Sequence, residues 1–534
     1  MGELTMKNHL WFTGLICFLL IEARFPARWE VTAAQPLAAG GTLLVNTASD
    51  TITSDSFLSL REAMSIAAGA LTGPFTLAER TQMTGCTFNS SGMITGGCGA
   101  GGDSILFAPN LTQIVLTARL PNIIKDGVTV NGAVSAGTMI INANAAVDYG
   151  FNVIANNVAL FNLTVINISG FGAAIGLGNG SWKGLQVYNN YLGVLPRSTS
   201  CSDAAITARP YFTVILFGGS GSAGTGNGTA YIYNNVIGCS QNDAVALSNS
   251  AYVYVGQTPL GTAAGNWIGV SRGGANIGNA GAGVTICCST ASTGNQISSN
   301  HIGYNALDGI NLDLVAGTAI NDNDIFHNTG TGIHILDTSL TTLSNNLSHD
   351  NDSSGIVLNQ ASPTPLLTFG NLISGGAYYN NGAAGISEGN GADQNTWTQI
   401  STYGNAGLGI DKFDNGLPDL PPLALTGTTP AVHGVLVNGT LSGTIFLLTT
   451  YHIELYLVAP DPTGKGEGYR FLGSTNLYWN SGNNYTWSIP NPAGLGCYTA
   501  TLTVSDFSNV STSSEFSSNL GTKCNLTYLP AIHH

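Results

Sequence analysis

The chain has 534 residues, 70 of them Gly, and is 43% hydrophobic but only 8% charged, with a formal net charge of −14. A disordered chain shows the opposite balance, so this one folds. The negative charge, with no Lys/Arg-rich run to offset it locally, excludes a nucleic acid backbone as partner.

In chain order, Lys7 precedes an apolar run from Leu10 to Ile21, and small residues follow at Ala33-Ala34 and Ala38-Ala39. This pattern predicts a cleaved export signal over residues 1–35 and a mature chain without a membrane span. Of nine Cys, Cys17 lies in the signal and eight remain. An even number suits an oxidising compartment. Proximity and similar turn positions suggest Cys86 with Cys98, Cys201 with Cys239, and Cys497 with Cys524; adjacent Cys287 and Cys288 have no assigned partner.

Residues 36–100 read as a cap. Ser59-Leu-Arg-Glu62 is a capping box, and Leu60, Ala63, Met64 and Ala67 share one helical face before Gly69. Residues 101–415 read as a solenoid. Its first coils are irregular, as at Phe151–Ile154, Leu185–Tyr188 and Tyr231–Ile237, with inserted loops at Pro196–Pro210 and Gly219–Gly228. A repeat then emerges: Ile297, Ile320 and Leu343 recur at 23 residues, as do Asn305, Asn328 and Asn351, and as do Gly309-Ile310, Gly332-Ile333 and Gly355-Ile356. A further column, Ile302 and Ile325, lapses at Ser348. Pairs such as Ile310/Leu312 alternate at period two, and strands this short close a core only by stacking coil on coil. The expected fold is all-β: a right-handed parallel β-helix, with Asn305, Asn328 and Asn351 stacked as a ladder at left-handed corners, since Asn tolerates that backbone. From 416 to 520 the strands lengthen and alternate, as in His452–Val458 and Tyr498–Val504, predicting an antiparallel Ig-like β-sandwich; 521–534 is a tail.

Leu58-Ser-Leu-Arg-Glu-Ala63, placed between export signal and β-helix, resembles the CSLREA segment that opens exported bacterial β-helix proteins of the pectate-lyase-like fold. Leu58 stands where the family has Cys, which removes any family disulfide there. Gly464-Lys-Gly-Glu-Gly468 followed by Phe471–Ser474, then Thr503–Asp506 and Ser514-Glu-Phe-Ser517, resembles the module that closes the same family's β-helices. The resemblance implies fold and export; the family as a whole has no defined activity.

The chemistry is less specific. Gly464–Gly468 precedes a strand, so it reads as a hairpin loop instead of a phosphate cradle. The richest polar cluster runs from Asp308 to Asp352, with Asp308, Asp322, Asp324 and His327 as ligand-binding candidates. No Lys or Arg lies between Arg272 and Lys412, which counts against lyase chemistry needing a basic side chain, while paired carboxylates at Asp322 and Asp324 or Asp308 suit a hydrolase. No cofactor is expected, apart from a possible calcium ion at Asp322 and Asp324 with oxygens from Asn300 and Asn323 and His301 as the one cation in a neighbouring rung. The expected function is an exported surface or extracellular scaffold, adhesin or glycan-binding protein meeting a polysaccharide or cell-surface glycan. The alternative is a polysaccharide hydrolase or lyase on the same fold.

Overall fold

The structure, a computed structural model, describes residues 40–180, 183–218, 229–361, 367–389, 391–412, 420–421, 423–442, 449–458, 466–478, 484–492, 496–505 and 511–521. The expected signal lies outside them, as do the tail beyond Gly521 and the loop at Gly219–Gly228.

The chain is all-β. Three sheets of 13, 10 and 12 strands hold most of it from Thr42–Val45 to Ile410–Lys412, and all their pairings are parallel except at Met83–Thr84 and Ala133–Val134. From the coil of Thr129–Asn131 onward, each coil contributes one strand to each sheet. In the regular part these are Ala319–Asn321 in the first sheet, Asp324–Phe326 in the third and Ile333–Leu336 in the second. Neighbouring coils pair in register: Ile310 with Ile333 and Ile333 with Ile356, and likewise Leu312, Ile335 and Leu358. Ile297, Ile320, Leu343 and Ile373 form a matching column on the first sheet. All of these are fully buried. At the lapse, Ser348 is also buried and donates its hydroxyl to the Gly355 carbonyl at 2.8 Å; the next coil fills the column with Tyr378.

The Gly-Ile starts have a steric cause. A Cβ at Gly332 would lie 2.7 Å from the Gly355 carbonyl oxygen and 1.9 Å from Ser348 Oγ, closer than packed atoms approach, so the second sheet can begin there only without a side chain.

Two Asn ladders run through the corners. Asn190, Asn235, Asn266, Asn300, Asn323 and Asn346 stack where the first sheet turns into the third. Asn279, Asn305, Asn328, Asn351, Asn381 and Asn405 stack where the third turns into the second. The left-handed corner expected at the ladder Asn is displaced by one residue. Tyr304, His327 and Asp350 carry positive φ of 62°, 52° and 53°, and the Asn that follows each is buried. The ladder Asn is therefore kept for its amide, which satisfies buried backbone groups at the bend, and not for its tolerance of a left-handed backbone.

The N-terminal end is closed by helix Leu60–Ala67, with both halves of the Ser59/Glu62 capping box formed and Leu58 buried beside it. Asp103, fully buried, accepts the N–H groups of Gly41 (2.8 Å) and Gly99 (2.9 Å). At the C-terminal end two antiparallel sheets follow. One has Leu423–Pro430, Val435–Ser442 and Asn484–Asn491; the other has Gly468–Tyr478, Thr450–Val458, Tyr498–Ser505 and Ser511–Ser513. They share a core that includes Val437, Ile453, Leu455, Trp487, Ile489 and Leu502.

These sheets cover the last coil with carboxylates. Glu454 accepts the Gln399 N–H (2.9 Å) and the Thr398 hydroxyl, Glu467 accepts the N–H groups of Gly404 (2.7 Å) and Asn405 (3.0 Å), and Glu515 accepts the Lys412 N–H (2.9 Å). In earlier coils the matching corner N–H finds a carbonyl of the next coil, as Asp322 finds Ser344. An open strand edge is thus closed by acceptors from side chains. Sequence reading as a hairpin loop missed this role of Glu467. Cys86 is bonded to Cys98, Cys201 to Cys239, and Cys287 to its neighbour Cys288. Cys497 is also disulfide-bonded, while Cys524 lies outside the described residues.

Candidate functional site

In register, the last four strands of the third sheet, from Asp324–Phe326 to Ser401–Tyr403, present their third residue outward at the same place. In successive coils these are Phe326, His349, Tyr379 and Tyr403. Coil spacing of about 4.8 Å suits flat rings. Ring centroids are 5.6 Å apart from Phe326 to His349, 4.7 Å from His349 to Tyr379 and 4.7 Å from Tyr379 to Tyr403, with planes within 13° of parallel. The line continues at both ends. Tyr469, from the C-terminal sheets, meets Tyr403 edge-on at 5.2 Å; at the other end Tyr304 meets Phe326 edge-on at 5.7 Å and lies over His327 at 5.3 Å.

Stacking occupies the ring faces. What the half-buried row offers outward is therefore ring edges and phenol hydroxyls at coil spacing. Burial, helped by the neighbouring Tyr403 phenol and the Asp324 and Asp350 carboxylates, pushes the Tyr379 phenol up to about 12, so it stays protonated and able to donate.

Beside the rings, Asp324 lies between two histidines. Its Oδ2 is 3.3 Å from His301 Nδ1, and its Oδ1 is 3.0 Å from His349 Nε2; His349 Nδ1 is in turn 2.7 Å from Asp350 Oδ2. Burial opposes the charge on Asp324, but the hydrogen bonds from His301 and His349 outweigh it and hold this carboxyl well below the usual range. Burial likewise opposes the charge on His349, and bonds to Asp324 and Asp350 outweigh it, raising its pKa. The result is a carboxylate and imidazolium pair, not a proton donor of the kind a glycosidase acid requires.

The four predicted residues separate. Asp324 is in this cluster. Asp322, exposed, occupies the left-handed corner before it, and His327 the corner after it, under Tyr304. Asp308 belongs to the turn leading to the second sheet, where it accepts the Thr331 N–H (2.7 Å) and lies 3.3 Å from His334. His301 is not the one neighbouring cation, because His349 reaches Asp324 diagonally from the next coil. Asn300 and Asn323 do not face a cation site either: both are buried, and their Oδ1 atoms accept from Asn266 and Asn300 respectively. Among the described residues no group of three or more His, Cys, Asp and Glu is arranged to hold a metal.

The rings themselves went unnoticed in the sequence. Phe326 and His349 keep the 23-residue offset, but Tyr379 and Tyr403 follow at 30 and 24, which hid the column. Its signal is the recurrent pair of an inward and an outward residue, Ile325-Phe326, Tyr378-Tyr379 and Thr402-Tyr403.

No helix among the described residues is long and apolar enough to cross a membrane. No curated protein matches the chain. Among solved structures it is similar to the mannuronan C-5 epimerase AlgE4 A-module of Azotobacter vinelandii, at 13% identity over 59% of this chain and 82% of that one, with a TM-score of 0.39. It is also similar to the enzymatically active domain of bacteriophage CBA120 tailspike protein 2, at 9% identity over 80% and 73%, with a TM-score of 0.36. Residues 215–406, the stretch that carries the regular coils and the ring column, match the family described as right handed beta helix region.

Proposed function

We propose that this is an exported surface or extracellular protein of the CSLREA type, closed by an Ig-like β-sandwich, that binds a polysaccharide along the third sheet. The observation that carries the reading is the continuous row from Tyr304 through Phe326, His349, Tyr379 and Tyr403 to Tyr469. A row of donors and ring edges repeating once per coil complements a polymer that repeats its own hydroxyls, and binding it needs no deep pocket. The sequence pattern of an export signal over residues 1–35 and the disulfides at Cys86–Cys98 and Cys201–Cys239 support the compartment.

The alternative is a polysaccharide hydrolase or lyase, and one observation favours it. On the second sheet burial and the neighbouring Asp337 raise the Asp313 pKa from its ordinary value against the opposing His334, the direction in which a general acid is tuned.

A glycan array with parallel detection of new reducing ends tests both. Binding without cleavage is expected, and Tyr379→Ala with Tyr403→Ala should weaken it at least roughly tenfold, or about 1.4 kcal/mol. Unchanged binding in that double variant refutes the row as the site; cleavage lost in Asp313→Asn moves the protein to the enzyme class.

A further inference from the structure

The ring row ends at a cleft. Tyr304, its last ring, also lines an open cavity of about 420 Å³ at the corner between the third and second sheets, together with Thr199, Ser200, Arg209, Asn276 and Gly278. Three constraints build this cleft. The Cys201–Cys239 disulfide ties the inserted loop to a coil corner. The main chain at Arg209 and Pro210 is held by Gln241, whose Nε2 donates to the Arg209 carbonyl at 2.7 Å and whose N–H donates to the Pro210 carbonyl at 2.8 Å. Across the cleft, Asn276 Oδ1 accepts the Gly278 N–H at 2.9 Å, which leaves its Nδ2 group to donate.

Three cations elsewhere among the described residues are matched by carboxylates. Arg61, Arg119 and Lys412 are each paired with a carboxylate, of Asp50, Asp148 and Glu388. Arg272 lies over the Trp267 ring. Arg209 donates from Nη2 to a neutral partner, the Cys201 carbonyl at 3.2 Å, and no carboxylate is among the residues lining the cleft. In a chain of net charge −14 the cleft thus offers an uncompensated guanidinium with amide and hydroxyl donors around it. Guanidinium and such donors recognise planar or tetrahedral oxyanions.

We infer that the cleft lined by Arg209, Asn276 and Tyr304 is a subsite for an anionic sugar, one bearing a carboxylate or a sulfate, at the end of the polysaccharide that the ring row holds. This rests on the reading of the row as a glycan site and adds the ligand's charge to it. Because the charges within the row, His349 with Asp324 and Asp350, are paired with one another, the selectivity for anions resides at one end.

The test uses the mature chain and three hexasaccharides of one backbone: cellohexaose, its C6-carboxyl form and its C6-sulfate form, measured by calorimetry at low salt. One charged form should bind at least roughly tenfold more tightly than the neutral one, and the carboxyl and sulfate arms identify which anion is taken. Arg209→Gln should abolish the preference with the melting temperature unchanged; Arg209→Lys, which retains the charge, should keep part of it. Equal binding of all three by the unaltered protein overturns the subsite, as does a preference that survives Arg209→Gln. If Tyr379→Ala with Tyr403→Ala still weakens all three, the row stands and only the cleft assignment falls. Failure of the unaltered protein to bind any of the three removes both.

Discussion

Glu467 ends the ladder that Asn405 would otherwise leave open. Its Oε1 accepts the Asn405 N–H at 3.0 Å and the Asn405 Nδ2 at 3.1 Å, the two bonds that from Asn305, Asn328, Asn351 and Asn381 go to the next Asn. A carboxylate, which accepts and never donates, can stand where the missing coil's amide oxygen would be. Glu467→Ala should therefore cost about 2–4 kcal/mol, since it leaves buried donors unpaired, and Glu467→Gln less. Urea unfolding checks this; an alanine variant as stable as the parent refutes the capping role.

The inside and outside of the coils can be separated by one adjacent pair. Ile333 is fully buried between Ile310 and Ile356, whereas His334 faces outward and lies 3.3 Å from Asp308. Ile333→Asp should cost several kcal/mol by burying an unpaired charge, and His334→Asn no more than about 1 kcal/mol. Melting temperatures in the reverse order would mean that the strand register is wrong.

His349 gives the stability a pH dependence of known sign. Its pKa is raised in the folded chain, so its contribution is complete below the ordinary imidazole pKa of about 6.5 and fades as pH rises through the higher folded value. Asp324, held low, keeps its charge until pH falls below the usual carboxylate range. His349→Gln should thus cost about 1 kcal/mol near pH 6 and much less near pH 9. A penalty that grows with pH would contradict the pairing.

Calcium should leave the melting temperature unchanged, and EDTA likewise, because the Asn300 and Asn323 oxygens needed beside Asp322 and Asp324 are engaged in the ladder. A calcium-dependent rise lost in Asp322→Asn with Asp324→Asn would show that the ladder opens to make a site.

The coils were legible because their cause is local and periodic. Ile310, Ile333 and Ile356 repeat in the chain at the interval at which they stack in space. The helix at Leu60–Ala67 was legible for a similar reason, since Ser59 and Glu62 answer one another within one turn. The contacts of the site were not. His349 meets Asp324 only through the diagonal of two paired strands, and Tyr379 reaches the ring row only after a coil lengthened to 30 residues. Glu467 is further still from its partner, 62 residues along the chain, and nothing in a glycine-rich hairpin signals that its one carboxylate will be buried.

Along the ladders each amide donates to the Asn oxygen of the coil after it and to a carbonyl of the coil before it, and the ends of the stack are closed by the Leu60–Ala67 helix at the first and by Glu467 at the last. Length is therefore adjustable without redesign. Excising 319–341, one 23-residue period, would set Asn300 against Asn346 and Ile297 against Leu343 with both seals untouched, and duplicating it would do the reverse. Each such step changes the reach of the rod by about 4.8 Å and the row of rings by one position, so a lineage could fit the protein to shorter or longer polymers by whole-coil gain and loss alone.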